Sequence, residues 1–271
     1  MRTTGHDIDI NLNGTTICYD DLGKGATPII FIHGFPFDKS SWQPQMEFFK
    51  NTHRVIAYDI RGFGKSFIGD EELSMRLFAD DLVKLMDGLE LRKAIVCGLS
   101  MGGYILMNAV YRYSKRFEAI ILSDTQCIAD SSEMKEKRKN AITDIKTGAL
   151  NNFAEEYVEN VFCSYSLSNK KELVKNMKTI ILSTSSESII ETLHALAKRE
   201  KMCQMINEIS IPTLILCGKE DKITPLAQSE FMSKNITNSA MQIINNAGHM
   251  SNLEQPEGFN LHLSNFISTM E

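Results

Sequence analysis

The stretch AIVCGLSMGGYILMNAVYRY, residues 94–113, runs from an apolar segment into a helical pattern through a turn rich in glycine. The apolar segment breaks at Gly98. Ser100 then stands between Gly98 on one side and Gly102 and Gly103 on the other. A strand, then Gly-x-Ser-x-Gly, then a helix is the setting in which a serine occupies a very tight, strained turn. Side chains two residues before and after it would collide, which calls for glycine at 98 and 102. The hydroxyl then projects beyond the carboxyl edge of a sheet, close to the positive partial charge at the start of a helix. The same glycines would also suit a turn that merely packs a helix closely on a sheet. The rest of the chain has to decide between the two.

Outward from this turn, short apolar runs alternate with helical patterns, which predicts strand–helix–strand units. The runs cover residues 8–13, 15–22, 28–34, 54–60, 94–100, 119–125, 213–221 and 241–249. IIFI, AIVC, AIIL and TLILC are apolar throughout, as expected of parallel strands covered on both faces. The first two runs are more polar and are separated only around Gly14, so they predict an antiparallel hairpin at the sheet edge. Residues 131–208 read as helix. Phe153, Tyr157 and Val161 fall at amphipathic spacing. Asp130 with Glu133 and Ser188 with Glu191 have capping-box spacing. A segment this long is not a loop. The expectation is a core from residues 1–126 and 209–271, with a helical cap, 127–208, inserted after the sixth strand.

Composition narrows the function. The chain has 271 residues, and 29 Lys and Arg against 34 Asp and Glu give a net charge of −5. There is no basic excess, so a nucleic-acid partner is not expected. No apolar stretch approaches the roughly 20 residues that span a bilayer, and the N-terminus carries no apolar signal region. Six scattered cysteines without CxxC pairing predict a reducing cytoplasm, no disulfides and no zinc site. The sequons at Asn13 and Asn235 read as chance matches in that setting. GFGKS (62–66) resembles the end of a phosphate-binding loop, but the required first glycine is Asp59. Asp59 and Arg61 are expected to tie that loop to its neighbours instead.

Five motifs in order carry a resemblance to the α/β-hydrolase family over nearly the whole chain. They are HGFP (33–36), DIRGFGKS (59–66), GLSMGG (98–103), GKEDKITP (218–225) and GHMSNLEQPEGF (248–259). The resemblance implies an eight-stranded, mostly parallel sheet with helices on both faces and a helical cap. It also implies roles. A serine needs a base, and the base needs an orienting carboxylate. Of six histidines, His249 matches the family's catalytic position, whereas His33 matches one that shapes a loop. Asp221 matches the usual acid, and Asp124 at the end of the sixth strand is the alternative. The backbone amides of Met101 and Phe35 match the oxyanion donors, and Pro36 favours extended backbone at Phe35.

The resulting expectation is a serine hydrolase that cleaves a carboxylic ester or lactone through an acyl-enzyme and needs no cofactor or metal. The last motif is most similar to those of enol-lactonases and small carboxylesterases. Trp42, Asp124 and Met250 are candidates for the substrate pocket, with Trp42 equally suited to packing its helix. Asp124 has a second reading as a polar contact at the pocket floor or the root of the cap. Methionines 134, 177, 202 and 205 suit either an apolar pocket or simple core filling. The chain is expected to be a cytoplasmic monomer or homodimer acting on a small molecule. Cofactor-free haloperoxidase or perhydrolase activity, and a ligand receptor built on the same fold, are the alternatives.

Overall fold

The computed structural model describes residues 3–12 and 14–270; Asn13, in the first sequon, lies outside the described residues. The runs with alternating or polar character form the edge of the sheet. β1 (Gly5–Leu12) and β2 (Thr15–Leu22) pair as an antiparallel hairpin. The wholly apolar runs form the interior. β3 (Ile29–Ile32), β4 (Val55–Tyr58), β5 (Ala94–Leu99) and β7 (Thr213–Gly218) are buried at every residue, and β6 (Phe117–Ser123) at all but Glu118. β8 (Ser239–Ile244), the far edge, is largely exposed. The order is β1-β2-β4-β3-β5-β6-β7-β8. β2 meets β4 antiparallel, and every later pairing is parallel.

Register decides where the chemistry can sit. Ile32 lies beside Gly98, Leu99 beside Ser123, Ser123 beside Leu216, and Gly218 beside Ile244. The carboxyl ends of β3, β5, β6, β7 and β8 are therefore level. The residues that follow them share one edge, where open parallel sheets place their ligands.

The helices follow from their patterns. α1 (Gln43–Phe49) starts with Pro44 in its first turn, where no helical hydrogen bond is lost. α2 (Met75–Gly88) is capped by Ser74 accepting from the Leu77 amide, and it buries Leu77, Phe78, Leu82, Leu85 and Met86. It packs on α3 (Met101–Tyr113), which is buried from Met101 to Val110 except at Asn108, because it lies between α2 and the sheet. Truncating a fully buried side chain here, such as Leu82 or Leu106, costs on the order of 2–5 kcal/mol.

Between β6 and β7 the chain is helical: α4 (Ser132–Lys146), α5 (Leu150–Val161), α6 (Ser164–Asn169), α7 (Lys171–Ser183) and α8 (Ser186–Lys198). After β7 come α9 (Leu226–Asn235), the single turn α10 (Ser251–Glu254) and α11 (Pro256–Ser268). Two sequence expectations fail in the inserted helices. The caps are Ser131 for α4 and Ser185 for α8, not Asp130 and Ser188. The Asp130 carboxylate is instead taken by Arg138 and Arg199, each at 2.5 Å.

The expectation of no disulfides also fails. Cys127 and Cys203 are bonded across a separation of 76 residues, whereas Cys18, Cys97, Cys163 and Cys217 are free and buried. The reason is topological. The insert leaves after β6 and returns at β7, which is the neighbour of β6, so its two stems must run close together. Arg199, on the second stem, also lies over the Tyr104 ring of α3 at 4.5 Å. Among the described residues no helix is long and apolar enough to cross a membrane.

Candidate active site

Ser100 occupies the turn between β5 and α3 with φ 53° and ψ −112°, a backbone conformation that side chains rarely adopt. The flanking glycines explain how the turn closes. A Cβ on Gly98 would meet the Gly102 carbonyl oxygen at 2.4 Å, and one on Gly102 would meet the Ile32 carbonyl oxygen at 2.4 Å. Neither backbone can yield, so both positions require glycine. The turn is tied to the end of β6: the Ser100 amide donates to the Ser123 carbonyl at 2.9 Å, and the Thr125 hydroxyl donates to the Ser100 carbonyl at 2.8 Å.

The loop after β8 brings His249 to this serine. His249 Nε2 lies 2.7 Å from Ser100 Oγ, and Nδ1 lies 2.8 Å from Asp221 Oδ2. An ionised carboxylate only accepts, so Nδ1 carries the proton and Nε2 is left to accept from the serine hydroxyl. Asp221 is held in turn by the loop that follows β7. Its Oδ1 accepts from the amides of Ile223 and Thr224, and its Oδ2 accepts from the Thr224 hydroxyl at 2.7 Å. All three residues are buried, and Ser100 keeps 7 % of its surface exposed.

The charges are tuned against burial. Burial alone would raise the Asp221 carboxyl, but the facing His249 and the donors from His249 and Thr224 outweigh it and hold the carboxyl below its ordinary value. Burial alone would lower His249. The negative charge and hydrogen bond of Asp221, helped by Asp124 and Glu254, bring it above the ordinary histidine value. Asp124 behaves oppositely to Asp221. Burial, reinforced by the charge of Asp221, pushes its carboxyl up to about 7.

Asp124 does not touch His249 through a hydrogen bond. Its Oδ1 accepts from the Gly218 amide at 2.7 Å, and its Oδ2 accepts from the hydroxyls of Ser123 and Ser251 at 2.8 and 2.5 Å. Asp124, Asp221 and the Cys217 thiol bring possible metal-ligand atoms within 4.8 Å of one another. Every carboxylate oxygen there already receives N–H or O–H donors, and burial pushes the thiol up to about 12. The donor set is that of a hydrogen-bond network rather than a cation cage.

The turn after β3 faces Ser100 from the other side. A Cβ on Gly34 would lie 3.3 Å from Ser100 Cβ. Phe35 follows, before a cis bond to Pro36. Its carbonyl accepts from the Tyr157 hydroxyl at 2.6 Å, and its ring meets Phe153 and Tyr157 edge-on. Of the apolar face read from Phe153, Tyr157 and Val161, the first two thus lie over this turn, and the Val161 carbonyl meets the His249 loop instead. Met101 opens α3, where no earlier helical carbonyl can accept from its amide. Met101 follows the serine in sequence, and Phe35 follows the glycine that faces it in space.

The remaining candidates separate. Trp42 is fully buried between Phe31 and Phe259, with centroids 4.9 and 5.9 Å away. It packs the core instead of opening on a pocket, because its helix is pressed between β3 and α11. Met250 is fully buried beside His249. His33 is neutral and structural: its Nδ1 donates to the Gly34 carbonyl, its Nε2 accepts from the Ile60 amide at 2.9 Å, and burial lowers its pKa. Asp59 accepts from the amides of Lys39 and Lys65, and Arg61 grips Asp81 through two bonds of 2.8 Å, as expected of a loop tie. Met177 is buried, Met134 is exposed, and Met202 and Met205 line a cavity of about 550 Å³ with Met75, Tyr104, Met107 and Gln126. Ser100 is not among the residues that line it.

Thr224, Tyr157 and Glu254 are parts of this arrangement that sequence reading missed. Thr224 stands three residues after Asp221 in an Asp-x-x-Thr spacing, a local signal available in the sequence. Tyr157 acts on Phe35, 122 residues away, and Glu254 joins its own loop to Cys163, 91 residues away; only the fold brings those partners together.

Comparisons with known proteins give the family. The family model described as alpha/beta hydrolase fold matches residues 27–160 and 178–256. A relative from Acinetobacter baylyi, 3-oxoadipate enol-lactonase 1, is 29% identical over 98% of each chain. A putative non-heme chloroperoxidase from Synechocystis sp. is 30% identical over 93% of this chain and 94% of that protein. Among solved structures, a thermophilic esterase from Thermogutta terrifontis superimposes with a TM-score of 0.91 at 32% identity, covering 94% of both chains. The chain belongs to the alpha/beta hydrolase family.

Proposed function

We propose that the protein is a serine hydrolase that cleaves a carboxylic ester or lactone through an acyl-enzyme. The observation that carries the reading is the continuous relay from Asp221 through His249 to Ser100 Oγ, with contacts of 2.8 and 2.7 Å. Ser100 attacks the carbonyl as His249 Nε2 takes its proton. Asp221 keeps the proton on Nδ1 and stabilises the imidazolium that forms. The amides of Met101 and Phe35 receive the oxyanion. Each such donor typically contributes about 2.7–4 kcal/mol to the transition state. His249 returns the proton to the leaving alkoxide. It then activates water, which attacks the acyl-enzyme and releases the acid. The chain supplies each of these groups from its own residues.

The inserted helices form the cap of this reading. α5 covers the turn at Phe35, so its Phe153–Tyr157 face and the Phe35 ring together form one wall of the acyl site. The relatives named as an enol-lactonase and an esterase support a lactone or ester substrate. The relative named as a chloroperoxidase favours one second reading, perhydrolysis, in which hydrogen peroxide replaces water at the acyl-enzyme. A panel of esters and lactones of graded acyl size, run beside peracid formation from acetate and peroxide, separates the two. Ser100→Ala is expected to abolish turnover and labelling by a fluorophosphonate probe with the circular dichroism spectrum unchanged. Retained labelling would overturn both readings.

A further inference from the structure

The loop that carries His249 is held from outside the sheet by one carboxylate. Glu254 is fully buried in α10. Its Oε1 accepts from the Gly248 amide at 2.7 Å and from the Met250 amide at 3.3 Å, the residues on either side of His249. Its Oε2 accepts from the Cys163 amide at 2.9 Å, at the junction of α5 and α6. The same junction holds His249 directly: the His249 amide donates to the Val161 carbonyl at 2.8 Å. The Cys163 thiol reaches the Asn246 carbonyl at 3.4 Å. The approach is so close that a Cβ on Gly248 would meet Cys163 N at 2.8 Å and the Val161 carbonyl oxygen at 2.9 Å.

We infer that Glu254 is a positioning residue for the proposed reaction: its two oxygens clamp the His249 loop to the inserted helices, so that the junction of α5 and α6 sets where the base stands. The inference rests on the proposed hydrolase reading. Its chemistry is specific to a carboxylate. Donors converge on both oxygens, so both must accept. A glutamine of the same shape can accept on one side only and must turn its NH₂ toward a backbone N–H on the other. Either the His249 loop or the Cys163 amide then loses its partner. The charge matters separately, because Glu254 is one of three carboxylates that support a protonated His249, with Asp221 and Asp124. Among the described residues, the Cys163 thiol and Lys170, whose Nζ donates to the Glu254 carbonyl, are titratable groups in contact with Glu254.

Two substitutions separate clamp from charge. Glu254→Gln is expected to lower kcat by about 100-fold, the effect of a base misplaced by about 1 Å, and to leave KM within about threefold. Its acid limb in the pH–rate profile moves to lower pH, since a charge that raises His249 is gone. Cys163→Pro removes the amide on the helical side together with the thiol, and it sets a ring carbon against Glu254 Oε2, so it opens the clamp from that side. Cys163 sits at φ −71° after Phe162 at φ −96° and ψ 146°, so both residues already fit a proline. This variant is expected to lose kcat with its acid limb in place, and Cys163→Ala, which keeps the amide, to turn over like the parent. If Glu254→Gln does not fold, the two Cys163 variants decide. The inference is overturned if Cys163→Pro keeps the parent kcat, or if Glu254→Gln loses melting temperature alone with kcat and pH limb unchanged. Ser100→Ala distinguishes the levels: activity in that variant would sink the hydrolase reading itself, whereas its inactivity beside fully active Glu254 and Cys163 variants would sink only the clamp.

Discussion

The ends of β6 and β7 are adjacent, level and each followed by a buried aspartate, yet they do different things. After β7, Asp221 meets four donors, one of them the His249 ring, and its carboxyl is held low. After β6, Asp124 meets one amide and two serine hydroxyls, has no hydrogen bond to His249, and is pushed up to about 7. The end of β6 is also where the inserted helices leave and where Cys127 is fastened to Cys203. The difference shows that location at the carboxyl edge of the sheet does not assign a role. The donors around each carboxylate do, by deciding which one stays charged and which one faces the imidazole.

This contrast can be broken experimentally. The largest effect is expected at Asp221: Asp221→Asn should lower kcat by about 10⁴-fold, because the imidazole then loses its correct tautomer. Asp124→Asn should lower it by less than about tenfold. Steady-state kinetics with a short p-nitrophenyl ester checks both, and the reverse ranking would move the acid to the end of β6.

Stability offers a second test, at the end of β6. Serine at both Cys127 and Cys203 removes the link across 76 residues and should lower unfolding stability by about 2–4 kcal/mol. Turnover at 25 °C should stay within a few-fold of the parent. Thermal melts beside initial rates test this, and a loss of kcat without a loss of stability would contradict it.

The smallest effects are in pH dependence. His249 must be neutral to accept a proton, and its pKa is raised above the ordinary value of 6.5. The acid limb of kcat/KM should therefore lie above that value. Asp124 has a folded pKa raised from 3.8 to about 7. Its contribution to stability is therefore fully present below about pH 3.8 and is lost as the pH rises through about 7. An asparagine side chain cannot ionise, so Asp124→Asn should flatten the decline of melting temperature across that window. An unchanged slope would show that Asp124 is ionised throughout.

The sheet and the serine turn were legible in the sequence because their constraints are local. Four consecutive buried residues in IIFI announce a covered strand, and two backbone collisions at Gly98 and Gly102 announce the turn. His249 and Asp221 were legible by resemblance, since both follow recognisable strand ends. The insert was less so. Its helical period was plain, but the α4 cap moved to Ser131, because Asp130 is drawn away by two arginines, one of them 69 residues distant, and the α8 cap moved to Ser185, whose hydroxyl takes the Ser188 amide. The disulfide was missed for the same reason: no spacing rule pairs Cys127 with Cys203 until strand order brings the stems together. Trp42 was ambiguous because only the packing of α11 against α1 decides which side of its helix is inside.

The hydroxyl of Tyr157 rests on the carbonyl of Phe35, whose own amide is proposed to receive the oxyanion. On that reading, the wall that selects the acyl group and the peptide that stabilises the transition state are one mechanical unit. Attempts to widen acyl acceptance would then have unequal outcomes at two neighbouring positions on one helix. Shortening Phe153, which touches Phe35 only through its ring, should enlarge the wall and spare the rate. Shortening Tyr157 should broaden acceptance and slow every substrate together. A mutant library meant to retune this protein should therefore vary 153 freely and hold 157 fixed.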